Sequence, residues 1–319
     1  MTTLLDVRGL TKHFSLSGGG TLKAVEDVSF SLAKGETLGI VGESGCGKST
    51  LARLVVRLIE PTSGEVDFAG TQVNRLSQKA LRLSRRDFQL IFQDPFASLD
   101  PRQSVGTSIA EPMVIHKIGD RRSRKLKVVE LLEKVGLDAD AATRYPHEFS
   151  GGQRQRIGIA RAVALGPKLI IADEPVSALD VSIQSQILNL LMDLKHDLGL
   201  SYIFISHDLS VVEHVADRVA VMYLGRFVEV TDAETLYKEP RHPYTEALLS
   251  AVPVPDPTRR RERIVLPGDM PSAEAPPPGC AFHPRCPKAF DRCPHDEPGE
   301  IDVGVKDGAK HLVRCHLYG

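Results

Sequence analysis

The 319-residue chain has no tryptophan, and aromatic residues make up only 5% of it. Serial stacking of bases on aromatic rings, the device of single-strand binders, has little to work with. Neither sign of charge is in excess: 40 Lys and Arg face 41 Asp and Glu, for a formal net charge of −1. That argues against nucleic-acid binding through bulk charge. No apolar run approaches the ~18 residues of a bilayer-spanning helix. The best stretches, Leu169–Ala172 and Val219–Leu224, are strand-length. The first ten residues carry Asp6 and Arg8 and lack a signal-peptide core, so the expected compartment is the cytosol. Cysteine is scarce, with five residues. In a cytosolic chain these read as thiols, catalytic groups or ligands, not a disulfide framework.

What is present is an ordinary globular composition, 42% hydrophobic and 25% charged, long enough to bury a large core. Strand and helix patterns alternate through the first ~250 residues, which implies an α/β sheet with crossover connections. Gly18–Gly20 reads as a hairpin loop between two early strands. Thr37–Val41, Leu169–Ala172, Ser201–Ile205 and Arg218–Met222 read as buried strands. Helices are expected from Ser49 to about Ile59, over Arg121–Val135 with Leu126, Val129, Leu132 and Val135 on its apolar face, and over 153–165 and 182–199. After Val252 the composition changes. Proline recurs from Pro253 to Pro278, at a density that forbids helix or central strand. Residues 253–278 therefore read as a linker on the surface of the main domain, with Arg259–Arg263 as a solvated basic face. Residues 279–319 read as a small tail module.

Gly42-Glu43-Ser44-Gly45-Cys46-Gly47-Lys48-Ser49-Thr50 fits the phosphate-loop pattern G-x-x-x-x-G-K-[ST] between a strand and a helix. Glycines let successive N–H groups turn inward at phosphate oxygens, and the helix adds the positive end of its dipole. Lys48 is placed to reach the β- and γ-phosphates and Ser49 to offer a hydroxyl to Mg²⁺. The side chain of Cys46 is expected to point away from the phosphates, with a pKa lowered by the helix N-terminus. Leu169-Ile-Ile-Ala-Asp173-Glu174 is an apolar strand ending in two carboxylates. The first can hold Mg²⁺ through water, and the second can take a proton from an attacking water. Phe149-Ser150-Gly151-Gly152-Gln153 is a second anion nest opening a helix. Two nests make sense when each serves a different nucleotide shared across a dimer.

With these motifs in order over residues ~4–252, the chain resembles the ATP-binding subunits of ATP-binding cassette (ABC) transporters. The resemblance implies a P-loop NTPase of the α/β class, a RecA-like core with antiparallel β and α-helical subdomains, the helical part at about 94–165. It implies ATP and Mg²⁺ as cofactors, with Ser49, Gln93 and Asp173 around the metal. Gly42–Thr50 becomes the Walker A loop, Gln93 the Q-loop glutamine, and Ser150, Gly151, Gly152 and Gln153 the signature. Asp173 is the Walker B aspartate, Glu174 the catalytic base, Asp180 the end of the D-loop and His207 the switch histidine. Phe14 occupies the place of an adenine-stacking aromatic. His13, His116, His196 and His214 read as ordinary histidines.

Asp94-Pro-Phe-Ala-Ser-Leu-Asp-Pro101-Arg102, Tyr145-Pro-His-Glu148, Arg241-His-Pro-Tyr-Thr-Glu-Ala-Leu248 and the cysteine tail are similar to the oligopeptide/dipeptide/nickel importer branch, in its "F"-type subunit. That resemblance implies a second ABC ATPase subunit, two transmembrane permeases and an extracytoplasmic solute-binding protein as partners, with this chain peripheral on the cytoplasmic face. The cargo stays open between peptides and nickel or another small solute. A soluble ABC ATPase of DNA repair or translation is disfavoured, because no heptad run separates Thr50 from Phe149 and only one cassette is present.

Cys280, Cys286, Cys293 and Cys315 have the spacing C-x5-C-x6-C-x21-C. This matches neither zinc-finger nor ferredoxin spacing, although four thiols suit tetrahedral Zn²⁺ or a four-iron cluster. The resemblance favours a [4Fe–4S] cluster. Zn²⁺, with His283, His295, His311 or His316 as substitute ligands, is the alternative, and two disulfides come last.

Overall fold

The computed structural model describes residues 2–94, 98–252, 263–304 and 310–319. Pro253–Pro257, most of the basic run before Arg263, and Pro95 to Ala97 lie outside them. In chain order the strands and helices begin with β1 (Thr3–Ser15), β2 (Thr21–Ala33), β3 (Thr37–Val41), α1 (Lys48–Val55), β4 (Ser63–Phe68) and β5 (Thr71–Gln72). Next come α2 (Gln78–Ser84), β6 (Phe88–Ile91), α3 (Val105–Ile115), α4 (Arg121–Lys134), α5 (Gly151–Val163), β7 (Leu169–Asp173), α6 (Val181–Leu198) and β8 (Ser201–Ser206). The chain continues with α7 (Leu209–Val215), β9 (Arg218–Tyr223), β10 (Arg226–Asp232), α8 (Ala233–Lys238), α9 (Pro243–Ser250), β11 (Ile301–Asp302) and β12 (Leu312–Val313). They fall into two compact units.

The first unit is chiefly Arg75–Ile205. Its strands β6, β7 and β8 run parallel, with β7 in the middle. Every residue of β7 is buried, as expected of a parallel strand covered on both faces. Helix α3 packs on α4 and α5. The apolar face of α4 agrees with the expected one at Leu132 and Val135 and departs from it at Leu126. Val128, Leu131, Leu132 and Val135 are buried, whereas Leu126 is 66% exposed. Their i, i+3, i+4, i+7 spacing is a full helical stripe, and the i, i+3 series from Leu126 and Val129 shares only its last two members, Leu132 and Val135.

The second unit holds Thr3–Leu32, Thr37–Asn74 and Ser206–Gly319. An antiparallel sheet orders β2-β1-β4-β5. The loop at Gly18–Gly20 joins β1 and β2 as the sequence predicts, closed by Gly19 N–H donating to Leu16 O at 3.0 Å. Strand β3 pairs parallel with β9, which pairs antiparallel with β10. Helix α1 starts at Lys48 and stops at Val55, short of Ile59. Arg57 adopts φ +49°, and Leu58 N–H closes back on Arg53 O at 2.8 Å. That left-handed stop is usually a glycine, so the sequence did not announce it.

The tail is not a unit of its own. Strand β12 adds to β10, pairing Glu229 with Val313 and Val230 with Leu312, and β11 adds to β12. The join is cemented at Glu229, which is buried. Its carboxylate accepts from Arg241 N–H at 2.7 Å and His242 N–H at 2.9 Å, and pairs with His311 Nε2 at 2.7 Å. Residues 263–278 form neither helix nor strand, in keeping with their proline content.

Candidate functional site

The phosphate loop is shaped by its neighbours. Gly42 has φ +156°, and a Cβ there would lie 2.2 Å from Met222 O. Gly47 has φ +111°, and its Cβ would lie 2.2 Å from Ala24 O. No side chain fits at either position, so the glycines are required by backbone approach as well as by the turn. Gly225 N–H donates to Cys46 O at 2.8 Å, tying the loop to the β9–β10 turn.

Helix α1 has no side-chain cap and no acidic residue in its first turn. No cap of its own thus competes for the positive end of its dipole, which favours an anion. Lys48 is buried, and its Nζ donates to Gly42 O at 2.7 Å and Glu43 O at 2.9 Å. The ammonium folds back over its own loop. Cys46 is 1% exposed. Burial pushes its thiol up, against the pull of Lys48. The expectation of a lowered pKa fails because desolvation outweighs the helix end.

In the first unit the Asp173–Glu174 pair ends β7. Asp173 is buried, and Glu174 turns out with φ +48°. A left-handed glutamate costs of order 1–3 kcal/mol and is a feature of functional turns. The turn is held by Glu174 N–H donating to Ile205 O at 3.0 Å and by Ser177 Oγ donating to Glu174 O at 3.1 Å. The carboxylate faces Gln93, whose Nε2 donates to Oε2 at 2.9 Å. The sequence-predicted sensor and base therefore meet, although 81 positions separate them.

Ser150 caps α5 in a reciprocal box with Gln153: Gln153 N–H donates to Ser150 Oγ at 3.3 Å, and Ser150 N–H donates to Gln153 Oε1 at 3.0 Å. Phe149 is buried beneath the Arg144 guanidinium, 4.4 Å from the ring centroid. Gly152 has a role that the motif reading missed. A Cβ there would lie 2.5 Å from Ile183 Cγ2 on α6. Asp180 stands at the N-cap of α6 without a capping bond. Gln184, also missed, donates to Val176 O at 3.1 Å and Leu179 O at 3.0 Å and so fixes the loop before Asp180.

His207 is exposed just past β8. Phe14 is half-buried on β1 with Lys12 Nζ 4.9 Å from its centroid. Beside it His13 pairs with Glu26 at 2.8 Å.

Of the four tail cysteines, Cys280 and Cys293 are joined through the backbone, Cys280 N–H donating to Cys293 O at 2.8 Å. Burial and then the thiols of Cys293 and Cys315 raise Cys280. Cys280 and Cys293 act likewise on Cys286, and Cys286 and Cys293 on Cys315. Among the described residues, however, no group of three or more His, Cys, Asp or Glu is arranged to hold a metal ion. The metal-ligated tail expected from the sequence finds no support here. Three of the four histidine substitutes are engaged elsewhere: His283 with Cys280 O, His311 with Glu229 and His316 with Asp296 O. No described helix is long and apolar enough to cross a membrane.

A glycine cradle on an uncapped helix, a buried lysine and a strand-end carboxylate pair met by a glutamine define a P-loop ATPase of the cassette class. The ABC transporter family profile matches residues 25–177, and the oligopeptide/dipeptide transporter C-terminal region matches residues 228–293. The chain is 55% identical to a probable peptide ABC transporter ATP-binding protein, y4tS, of Sinorhizobium fredii, over 98% of this chain and 90% of that one. It is also 55% identical to the oligopeptide transport ATP-binding protein AppF of Bacillus subtilis, over 99% and 98%. Among solved structures, the dimeric ATP-binding cassette MJ0796 bound to ADP and Pi superposes with TM-score 0.67 at 29% identity, over 72% of this chain and 99% of that one. The chain belongs to the ABC transporter family, as one of its ATP-hydrolysing subunits.

Proposed function

We propose that this subunit hydrolyses ATP to power import of di- or oligopeptides through a membrane transporter. The carrying observation is the oligopeptide/dipeptide transporter C-terminal region at residues 228–293, supported by relatives named for peptide transport. In this reading the chain is peripheral on the cytoplasmic face. It pairs with a second ABC ATPase subunit and two permeases, and a solute-binding protein delivers the cargo.

Mg²⁺, when bound, neutralises charge developing on the transferred phosphoryl group. The oxygen atoms of Ser49 in one unit, and of Asp173 and Gln93 in the other, are of the kind such a hard cation prefers. Lys48 leaves its two loop carbonyls for phosphate oxygens. Glu174 accepts the proton of the attacking water, and Gln93, already on its carboxylate, orients it. His207 steadies the γ-phosphate, and Phe14 stacks on adenine. Ser150 to Gln153 and Asp180 act on the nucleotide held by the partner subunit. Residues of about 94–165 form the helical part that meets a permease.

The finer reading of the tail is a [4Fe–4S] cluster on Cys280, Cys286, Cys293 and Cys315, which rests on the count of four thiols and the resemblance of the tail and not on a ligand group among the described residues.

The test of the peptide reading is uptake of labelled di- and oligopeptides by vesicles holding the assembled transporter, with and without Glu174→Gln. ATP-dependent peptide uptake lost in the variant is expected. Uptake of nickel with no peptide uptake would overturn the reading.

A further inference from the structure

Glu43 puts a negative charge inside the loop that must cradle a triphosphate. In this chain it is gripped from two sides. Its N–H donates to Tyr244 Oη at 2.9 Å, from α9. Its carboxylate receives a two-pronged ion pair from Arg285, Nη1 to Oε2 at 2.7 Å and Nη2 to Oε1 at 3.1 Å. Arg285 lies 242 positions further along the chain and its side chain is only 8% exposed. Paired bonds of this geometry fix direction as well as charge.

The segment before the tail is tied to Arg285, to the loop at Gly45 and to β2. Arg285 Nε donates to Pro267 O at 3.4 Å. Met270 Cε sits 3.6 Å from where a Cβ on Gly45 would be. Lys23 N–H donates to Ala273 O at 3.0 Å. Phe282, three residues before Arg285, packs edge-on against Tyr223 at 5.3 Å and tilted against Tyr244 at 5.4 Å. The residues that hold Glu43 are thus held by one aromatic cluster.

We infer that Arg285 is a positioning residue for nucleotide binding, cancelling the Glu43 charge and drawing that carboxylate away from the phosphates. The inference rests on Gly42–Thr50 being the loop that takes the nucleotide. A carboxylate left uncompensated beside a triphosphate opposes its binding through a partly buried path that salt screens poorly. The tail then serves the ATP site directly, besides its place in the sheet.

The test is equilibrium binding of Mg²⁺ with a non-hydrolysable ATP analogue to the full chain, alongside thermal stability. Arg285→Gln should weaken binding about tenfold, which corresponds to about 1.4 kcal/mol. The loss should be larger for the ATP analogue than for ADP, which carries less charge. Adding Glu43→Gln to Arg285→Gln should restore binding to within about threefold, because the charge needing cancellation is gone. Arg285→Lys, with charge but without the fork, should fall between. In the assembled transporter Arg285→Gln should raise KM for ATP more than it lowers kcat.

Unchanged binding in Arg285→Gln would overturn the inference. So would a failure of Glu43→Gln to rescue it, which would mean that Arg285 only holds the tail in place. Lys48→Ala serves as the control. If it binds the analogue like wild type, the loop reading itself fails. If it loses binding while Arg285→Gln does not, only the role of Arg285 fails.

Discussion

Replacing Gly152 with alanine adds one methyl group at a point with no room for it. The new Cβ would lie 2.5 Å from Ile183 Cγ2, about 1 Å inside ordinary carbon–carbon contact. Ile183 cannot simply rotate away, because a β-branched residue in a helix has one strongly preferred χ1. Helices α5 and α6 must therefore separate, or Ile183 must leave its rotamer. Overpacking of this kind costs about 1–3 kcal/mol. Against it stands the better helix propensity of alanine, at most about 1 kcal/mol and less so near a helix start. The net loss should be about 1–2 kcal/mol, a fall of roughly 2–6 °C in Tm for a domain of this size class. Thermal denaturation followed by circular dichroism reads this directly. The decisive variant is Gly152→Ala with Ile183→Ala, which removes Cγ2 and should recover the Tm lost to the clash beyond the cost of Ile183→Ala alone. ATPase activity of the assembled transporter should fall in Gly152→Ala, because the signature turn and the Asp180 loop move together. A Gly152→Ala chain as stable as wild type would show that the glycine serves only the backbone turn, and the packing argument would be refuted.

Glu174→Gln should keep analogue binding and lose turnover by ~10²–10⁴, whereas Lys48→Ala should lose nucleotide affinity; wild-type turnover in Glu174→Gln would remove the assignment of the base. Stability should depend on pH through His242, which burial holds down at about 4, because its Nδ1 must stay unprotonated to accept from Tyr244 N–H at 3.1 Å. The unfolded chain takes up that proton below about pH 6.5, so this contribution is complete above 6.5 and is lost as the pH falls toward 4, by up to about 3 kcal/mol. Urea unfolding at pH 7 and pH 5 should show the loss in wild type and a smaller one in His242→Asn; an equal loss in both would contradict the assignment. On the proposed cluster reading of the tail, anaerobically purified protein should carry about four iron atoms, as a Cys₄-ligated cluster requires, and each Cys→Ser change at 280, 286, 293 or 315 should remove them while analogue binding persists. One zinc or no metal would end the cluster reading.

The nucleotide machinery was legible in the sequence because its physics is local. A loop with glycines at Gly42, Gly45 and Gly47, a box from Ser150 to Gln153 and an apolar strand ending in Asp173 and Glu174 each form from neighbours within a few positions. Their residue types therefore report their geometry, whereas the meeting of Gln93 with Glu174 came only with the parallel pairing of β6 and β7, β6 being a strand the sequence did not announce. Tertiary structure decided what depends on close approach between distant segments. The clash that reserves Gly152 comes from Ile183, and the burial that raises the Cys46 thiol outweighs the helix end. The buried face of α4 was set by its partners α3 and α5, not by the first apolar series that fits a helix. The tail shows the limit most clearly. Two-residue strands carry too little period to be read from sequence, so β12 docking on β10 through Glu229 and His311 was invisible, as was the Arg285–Glu43 pair. Hydrogen bonds and ion pairs depend on distance in space, and that distance exists only after the chain has folded.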